Sequence, residues 1–264
     1  MQRRTLITAA AAGAFGLALP VAHAEVTDLS DAINKAGRQR MLSQRMAKAW
    51  LALLQGVEPA SAQQVLDKSM LLFERQLAEL RAFAPSAEIQ TTYGKLEGAW
   101  TDYRTALVQA TPSRAAAAGL LQLDARVLAL AHQGTQQYEA TLAKPVGKLV
   151  NIAGRQRMLT QRMAKFYLAA VLPMDADVAT TEISKAREEF TKAMGVLRNA
   201  PEATARIRDE LNLADAQWVF FDMALQKQRS GYAPGKSMAE VFVSSENLLT
   251  VMDRVTGMYS ALRG

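Results

Sequence analysis

The chain contains no cysteine, and that one absence excludes disulfides, thiolate-bound metals, covalently attached haem and cysteine nucleophiles. Stability has to come from core burial. Histidine is almost missing too: His132 is the sole histidine beyond residue 24. No carboxylate–histidine pair stands at helical metal spacing such as Glu-x-x-His, so the sequence predicts no enzyme, no metal and no cofactor. A non-covalent haem would require His132 and a methionine, and packing already accounts for methionines in a helical bundle. Aromatic residues make up 6% of the chain. Runs of β-branched residues are scarce while Ala, Leu, Gln, Arg and Met are plentiful, which favours helix throughout.

Long apolar runs are also absent beyond residue 24. Before that point, Arg3 and Arg4 lead an apolar run from Leu6 to Val21, closed by Ala22-His23-Ala24 ahead of Glu25. That pattern predicts a cleaved export signal over 1–24 and a periplasmic destination. A twin-arginine route fits the same charges less completely than ordinary secretion. An uncleaved anchor is the competing reading, and the small-residue ending argues against it. From Glu25 onward the 31 basic residues lose Arg3 and Arg4, leaving 29 against 25 acidic ones, a net of +4. So diffuse an excess predicts no nucleic-acid partner. Any signalling output is expected from a membrane-bound partner chain.

What is present is a duplication. The stretch from Asn34 to Lys48 recurs from Asn151 to Lys165 with thirteen of fifteen positions identical at an offset of 117. Trp100, Tyr103, Ala106 and Leu107 return as Trp218, Phe221, Ala224 and Leu225, and Tyr138 answers Tyr259. Prolines and capping residues divide each copy into four helical segments, at roughly 28–55, 60–84, 87–110 and 113–143, then 146–172, 178–199, 202–229 and 237–262. The expected fold is all-α: two tandem antiparallel four-helix-bundle modules, 25–144 and 145–264, related by internal duplication. An even number of helices per module makes the fifth run parallel to the first. A continuous rod kinked at Pro145 would instead set the repeats end to end.

Helical periodicity gives the repeated helix two faces. Leu42, Met46, Ala49, Trp50 and Leu53 face their own bundle, as do Leu159, Met163, Phe166 and Tyr167. A second face carries Ile33, Gly37, Arg40, Gln44, Ala47 and Leu51, repeated as Val150, Gly154, Arg157, Gln161, Ala164 and Leu168. Steps of four and three residues make this a helix-pairing seam. Glycine inside a helix costs about 1 kcal/mol relative to alanine, so its presence in both copies points to close backbone approach. If the seams face each other, Arg40 and Arg157 bring like charges together. A small anion between them would cancel the repulsion and accept their forked donors. Gln44 and Gln161 would complete the cage. Most arginines sit on solvated helix faces, and that is the plain alternative for both. Arg45, Arg162, Arg38, Arg155, Lys48 and Lys165 fall at the border between faces, as supporting or solvated charges.

The string from Asp31 to Arg45, with Ile-Asn-x-Ala-Gly-x-x-Arg-Met-x-x-x-Arg at its fixed positions, resembles the first helix of the periplasmic sensor domain of nitrate/nitrite sensor histidine kinases. It is equally similar to the N-terminal domain of type IV pilus methyl-accepting chemotaxis transducers. The second copy departs only at Val150. The resemblance implies a four-helix sensor bundle in which the Gly-x-x-Arg-Met arginine holds nitrate across a two-fold axis. By position that arginine is Arg40 in one copy and Arg157 in the other. The expected function is a periplasmic sensor-type protein binding a small anion, nitrate or nitrite, and relaying to a membrane partner. The alternative is a ligand-free helical adaptor in type IV pilus or envelope signalling.

Overall fold

The structure is a computed structural model, and it describes residues 25–108, 111–172, 176–227 and 234–262. The expected signal at 1–24 lies outside the described residues. Eight helices are present among those described: α1 (Leu29–Leu54), α2 (Pro59–Phe83), α3 (Ala87–Val108), α4 (Arg114–Leu142), α5 (Pro145–Ala169), α6 (Ala176–Asn199), α7 (Ala205–Gln226) and α8 (Pro234–Ser260). Their starts follow local chemistry. Asp28, Ser113 and Thr204 accept the orphan N–H groups of Asp31, Ala116 and Ile207 at the heads of α1, α4 and α7. Pro59, Pro145 and Pro234 occupy first helical positions, where the missing N–H costs nothing.

The joint between α4 and α5 decides the architecture. Ala143 adopts a left-handed conformation, φ 50°, that ends α4, and Lys144 is extended before Pro145 opens α5. The two helices are therefore separate elements. Gly37 approaches Gly154, the place of a Gly147 Cβ lies beside Ile33, and Gln55 donates to the Leu168 carbonyl at 2.8 Å. These pairs advance together along both helices, so α1 and α5 run parallel, as an even helix count requires. The most extensive helix contact in the molecule is this one.

Each module closes the same way around its seam helix. Helix α1 packs on α2 and α4, and α5 packs on α6 and α8, while α3 and α7 lie against the last helix of their module. Phe73 stacks on Trp100 and Phe190 on Trp218, both with ring centroids 4.4 Å apart. Tyr138 donates its hydroxyl to the Leu80 carbonyl at 2.8 Å, and Tyr259 donates to Leu197 at 2.6 Å. These matched anchors make the two modules copies in packing as well as in sequence. Ile33, Leu51, Val150 and Leu168 are fully buried at the ends of the seam, each contributing about 1.5–3 kcal/mol of apolar burial. No helix among the described residues is long and apolar enough to cross a membrane.

Candidate functional site

The two glycines face one another at the middle of the α1–α5 seam. A Cβ on Gly37 would lie 3.2 Å from Arg40 Nη2, 3.6 Å from Arg157 Nη2 and 3.8 Å from the Gly154 Cα. A Cβ on Gly154 would meet the same two guanidinium groups at 3.2 and 3.7 Å. Both arginines therefore fold back over the small residue one turn before them, and their tips converge. Arg40 and Arg157 are each 0% exposed, which rules out the solvated-face alternative.

Their hydrogen bonds are reciprocal up to a point. Arg40 Nη2 donates to the Asn151 side-chain oxygen at 2.7 Å and to its carbonyl at 3.3 Å, while Arg157 Nη2 donates to the Asn34 carbonyl at 3.0 Å. Asn34 and Asn151 are equivalent residues of the two copies. The second branch differs. Arg157 Nη1 is ion-paired with Asp253, whereas Arg40 Nη1 donates to His132 Nδ1 at 3.2 Å. Among the described residues no carboxylate stands within ion-pair distance of Arg40. The Nε of each arginine is buried without a partner.

The charge balance follows from these contacts. Burial, then Arg155 and Arg157, push Arg40 down to about 9 with Glu139 opposing, so it is still a cation at neutral pH. Burial also pushes Arg157 down, to about 10, with Asp253 opposing. Burial alone would raise the Asp253 carboxyl, but Arg157 and Arg38 hold it down to about 2. Burial, with Arg40 and Arg155 beside it, depresses His132 to about 4, so the imidazole is neutral.

Gln44 and Gln161 point elsewhere. Gln44 donates to Asp124 at 2.7 Å and Gln161 to the Ser245 carbonyl at 3.1 Å, so they brace α4 and α8 rather than reaching the arginines. Arg45 bridges Glu246 and Ser69, and Arg162 pairs with Glu182. The lysines correct the border assignment, because both are buried and cross the seam. Lys165 of α5 pairs with Asp124 of α4 at 2.7 Å, and Lys48 of α1 pairs with Glu246 of α8 at 2.7 Å. Their four-carbon stems are long enough to reach the opposite module, which the periodicity of one helix does not register. Arg38 also crosses, to Asp253 at 2.9 Å, whereas Arg155 pairs with Glu189 of its own module.

His132, Asp253, Asp124 and Asn151 are the site residues that the seam pattern did not flag. His132 precedes Tyr138 by the same six positions that separate Asp253 from Tyr259. The tyrosine pair therefore carried the signal, because counting back from it aligns the two partners of the seam arginines. Asp124 aligns with Ser245 at the same offset.

Beside His132 a cavity of about 440 Å³ opens between α4 and α6. Arg40, His132, Arg155, Arg162 and Lys185 line it together with Glu182 and Glu189, over an apolar floor that includes Leu128, Met158 and Ala186.

Two tandem helical bundles joined along buried arginine-bearing helices make a duplicated all-helical module. Residues 24–126 and 138–230 each match the type IV pili methyl-accepting chemotaxis transducer N-terminal domain. The chain belongs to that family, called PilJ, and carries its domain in two tandem copies. No curated protein and no solved structure matches the chain.

Proposed function

We propose that the chain is a periplasmic sensor protein, not an enzyme, that holds one small anion, nitrate or nitrite, at Arg40 and Arg157 between α1 and α5. In this reading residues 1–24 are the export signal, and the modules span 25–144 and 145–264. One observation carries it. Two guanidinium groups converge in full burial over paired glycines, and only one of them has a carboxylate. Arg40 reaches Glu139 only through Asn151, and a buried cation with no carboxylate in direct contact is costly unless its donors are met. An anion reaching Arg40 and the unpartnered Nε groups would supply what is missing. Ligand uptake that favours one placement of α1 on α5 would hand its state to a membrane partner.

The test is calorimetric titration with nitrate and nitrite against chloride at equal ionic strength, on wild type, Arg40→Ala and Arg157→Ala. A charge-assisted hydrogen bond contributes on the order of 1.5–3 kcal/mol, so each change should weaken binding roughly ten- to hundredfold. Unchanged affinity in both variants sinks the assignment. The ligand-free adaptor is the second reading, and Asp253 favours it, since that carboxylate already neutralises Arg157. Absence of any anion-specific heat in wild type decides for the adaptor.

A further inference from the structure

The duplication supplies its own comparison. In the second copy the residue six before the anchoring tyrosine is Asp253, and its carboxylate is gripped by Arg157 from its own module and Arg38 from the other. In the first copy the same place is held by His132, flanked by Arg40 of its own module and by Arg155 of the other, the equivalent of Arg38. The cations of the carboxylate site are thus conserved within the chain, but the carboxylate is replaced by a neutral imidazole. The cavity lies at this place, with four cationic side chains on its wall against the two acids Glu182 and Glu189.

We propose that this cavity binds a small organic monocarboxylate, which takes beside His132, Arg155 and Arg40 the place that Asp253 fills in the other copy. The tautomer of His132 suits the task. Arginine can only donate, so His132 Nδ1 accepts from Arg40 and the ring proton resides on Nε2. That leaves one N–H donor on a side chain that lines the cavity, polarised by the arginine behind it. Arg155 supplies the charge from the rim, exchanging part of its bond to Glu189 for the ligand. The size and floor select the ligand class. About 440 Å³ is pocket-sized, far larger than a four-atom inorganic anion, and Leu128, Met158 and Ala186 offer an apolar surface for a short hydrocarbon tail.

This inference rests on the anion-binding reading of Arg40, but it sets the ligand on the α4–α6 side instead of between the two seam arginines. The test is titration of the full chain with formate, acetate and butyrate, with nitrate as the comparison anion. Affinity should rise along the series by roughly fourfold for each methylene buried. Arg155→Gln and His132→Asp should each weaken butyrate roughly ten- to hundredfold, the second because it installs the competing carboxylate. Arg254→Gln, which removes an exposed cation of α8 that pairs with Glu210 and does not line the cavity, should leave butyrate affinity unchanged. Flat affinity along the series, or full butyrate affinity in both Arg155→Gln and His132→Asp, overturns the cavity site. Loss of butyrate in Arg157→Gln with retention in Arg155→Gln also overturns it, while leaving the seam site intact. Loss of nitrate in Arg40→Ala but not in Arg157→Ala, with butyrate behaving as expected, instead removes the seam site and keeps the cavity.

Discussion

Gly37 and Gly154 face each other across the two parallel seam helices, close enough that either one's missing Cβ would lie within 3.8 Å of the other's Cα or of the partner arginine. Replacing either with leucine places a branched side chain where two guanidinium tips converge. Overpacking of this kind costs about 1–3 kcal/mol. Helical circular dichroism should persist, the melting temperature should fall, and nitrate binding should be lost. A leucine variant that melts and binds like wild type would show that close approach is not the role of the glycines.

Asp124 and Lys165 form an ion pair that is almost wholly buried, 0% and 3% exposed at the side chain. Removing one partner strands the other. Asp124→Leu or Lys165→Met alone should each destabilise by about 3–5 kcal/mol, while the double variant recovers much of that loss. Denaturant unfolding of the four proteins in the cycle checks this. Additive losses would mean that the pair carries no coupling.

Asp253 acts as a built-in anion for Arg157. Asp253→Asn keeps the shape and removes the charge, at a cost of about 1.5–3 kcal/mol for a charge-assisted bond. Added nitrate should restore more of the lost stability than equal chloride, because it can occupy the vacated place. Equal effects of the two salts in a thermal melt would reduce the rescue to general screening.

The pH dependence has two windows with one sign. His132 titrates near 4 in the folded chain against an ordinary value of 6.5. The unfolded chain therefore binds more protons between these values, and stability falls as pH drops from about 6.5 toward 4. Glu246 and Asp253 are both held down to about 2. Their contribution is complete above their unfolded values and is lost as pH falls below about 4.5 toward 2. His132→Gln should flatten the upper window and leave the lower one. An unchanged slope between pH 6.5 and 4 would show that His132 is not depressed.

The helices, the duplication and the seam were legible because they are written as repeats. Thirteen shared positions and a four-and-three spacing survive in both copies, and Gly37, Arg40, Gly154 and Arg157 stand where that spacing put them. What remained hidden sits on α4 and α8, where the copies have diverged: His132 against Asp253 and Asp124 against Ser245. A residue that differs between copies leaves no repeat signal, and its partner is fixed by packing between helices distant in sequence. The buried lysines escaped for a related reason. Lys48 and Lys165 sit at the edge of their own helix faces, and only the neighbouring module turns that edge into interior.

The connection through Ala143 and Lys144 joins the two modules, so both seam helices belong to one polypeptide. Their association is then a unimolecular event whose effective concentration is set by the tether, not by how much protein the compartment holds. Dilution cannot part them. A pairing of separate subunits would also force one residue to serve both sides of its axis, whereas a tethered pair lets each side mutate alone. Position 132 and position 253 have used that freedom.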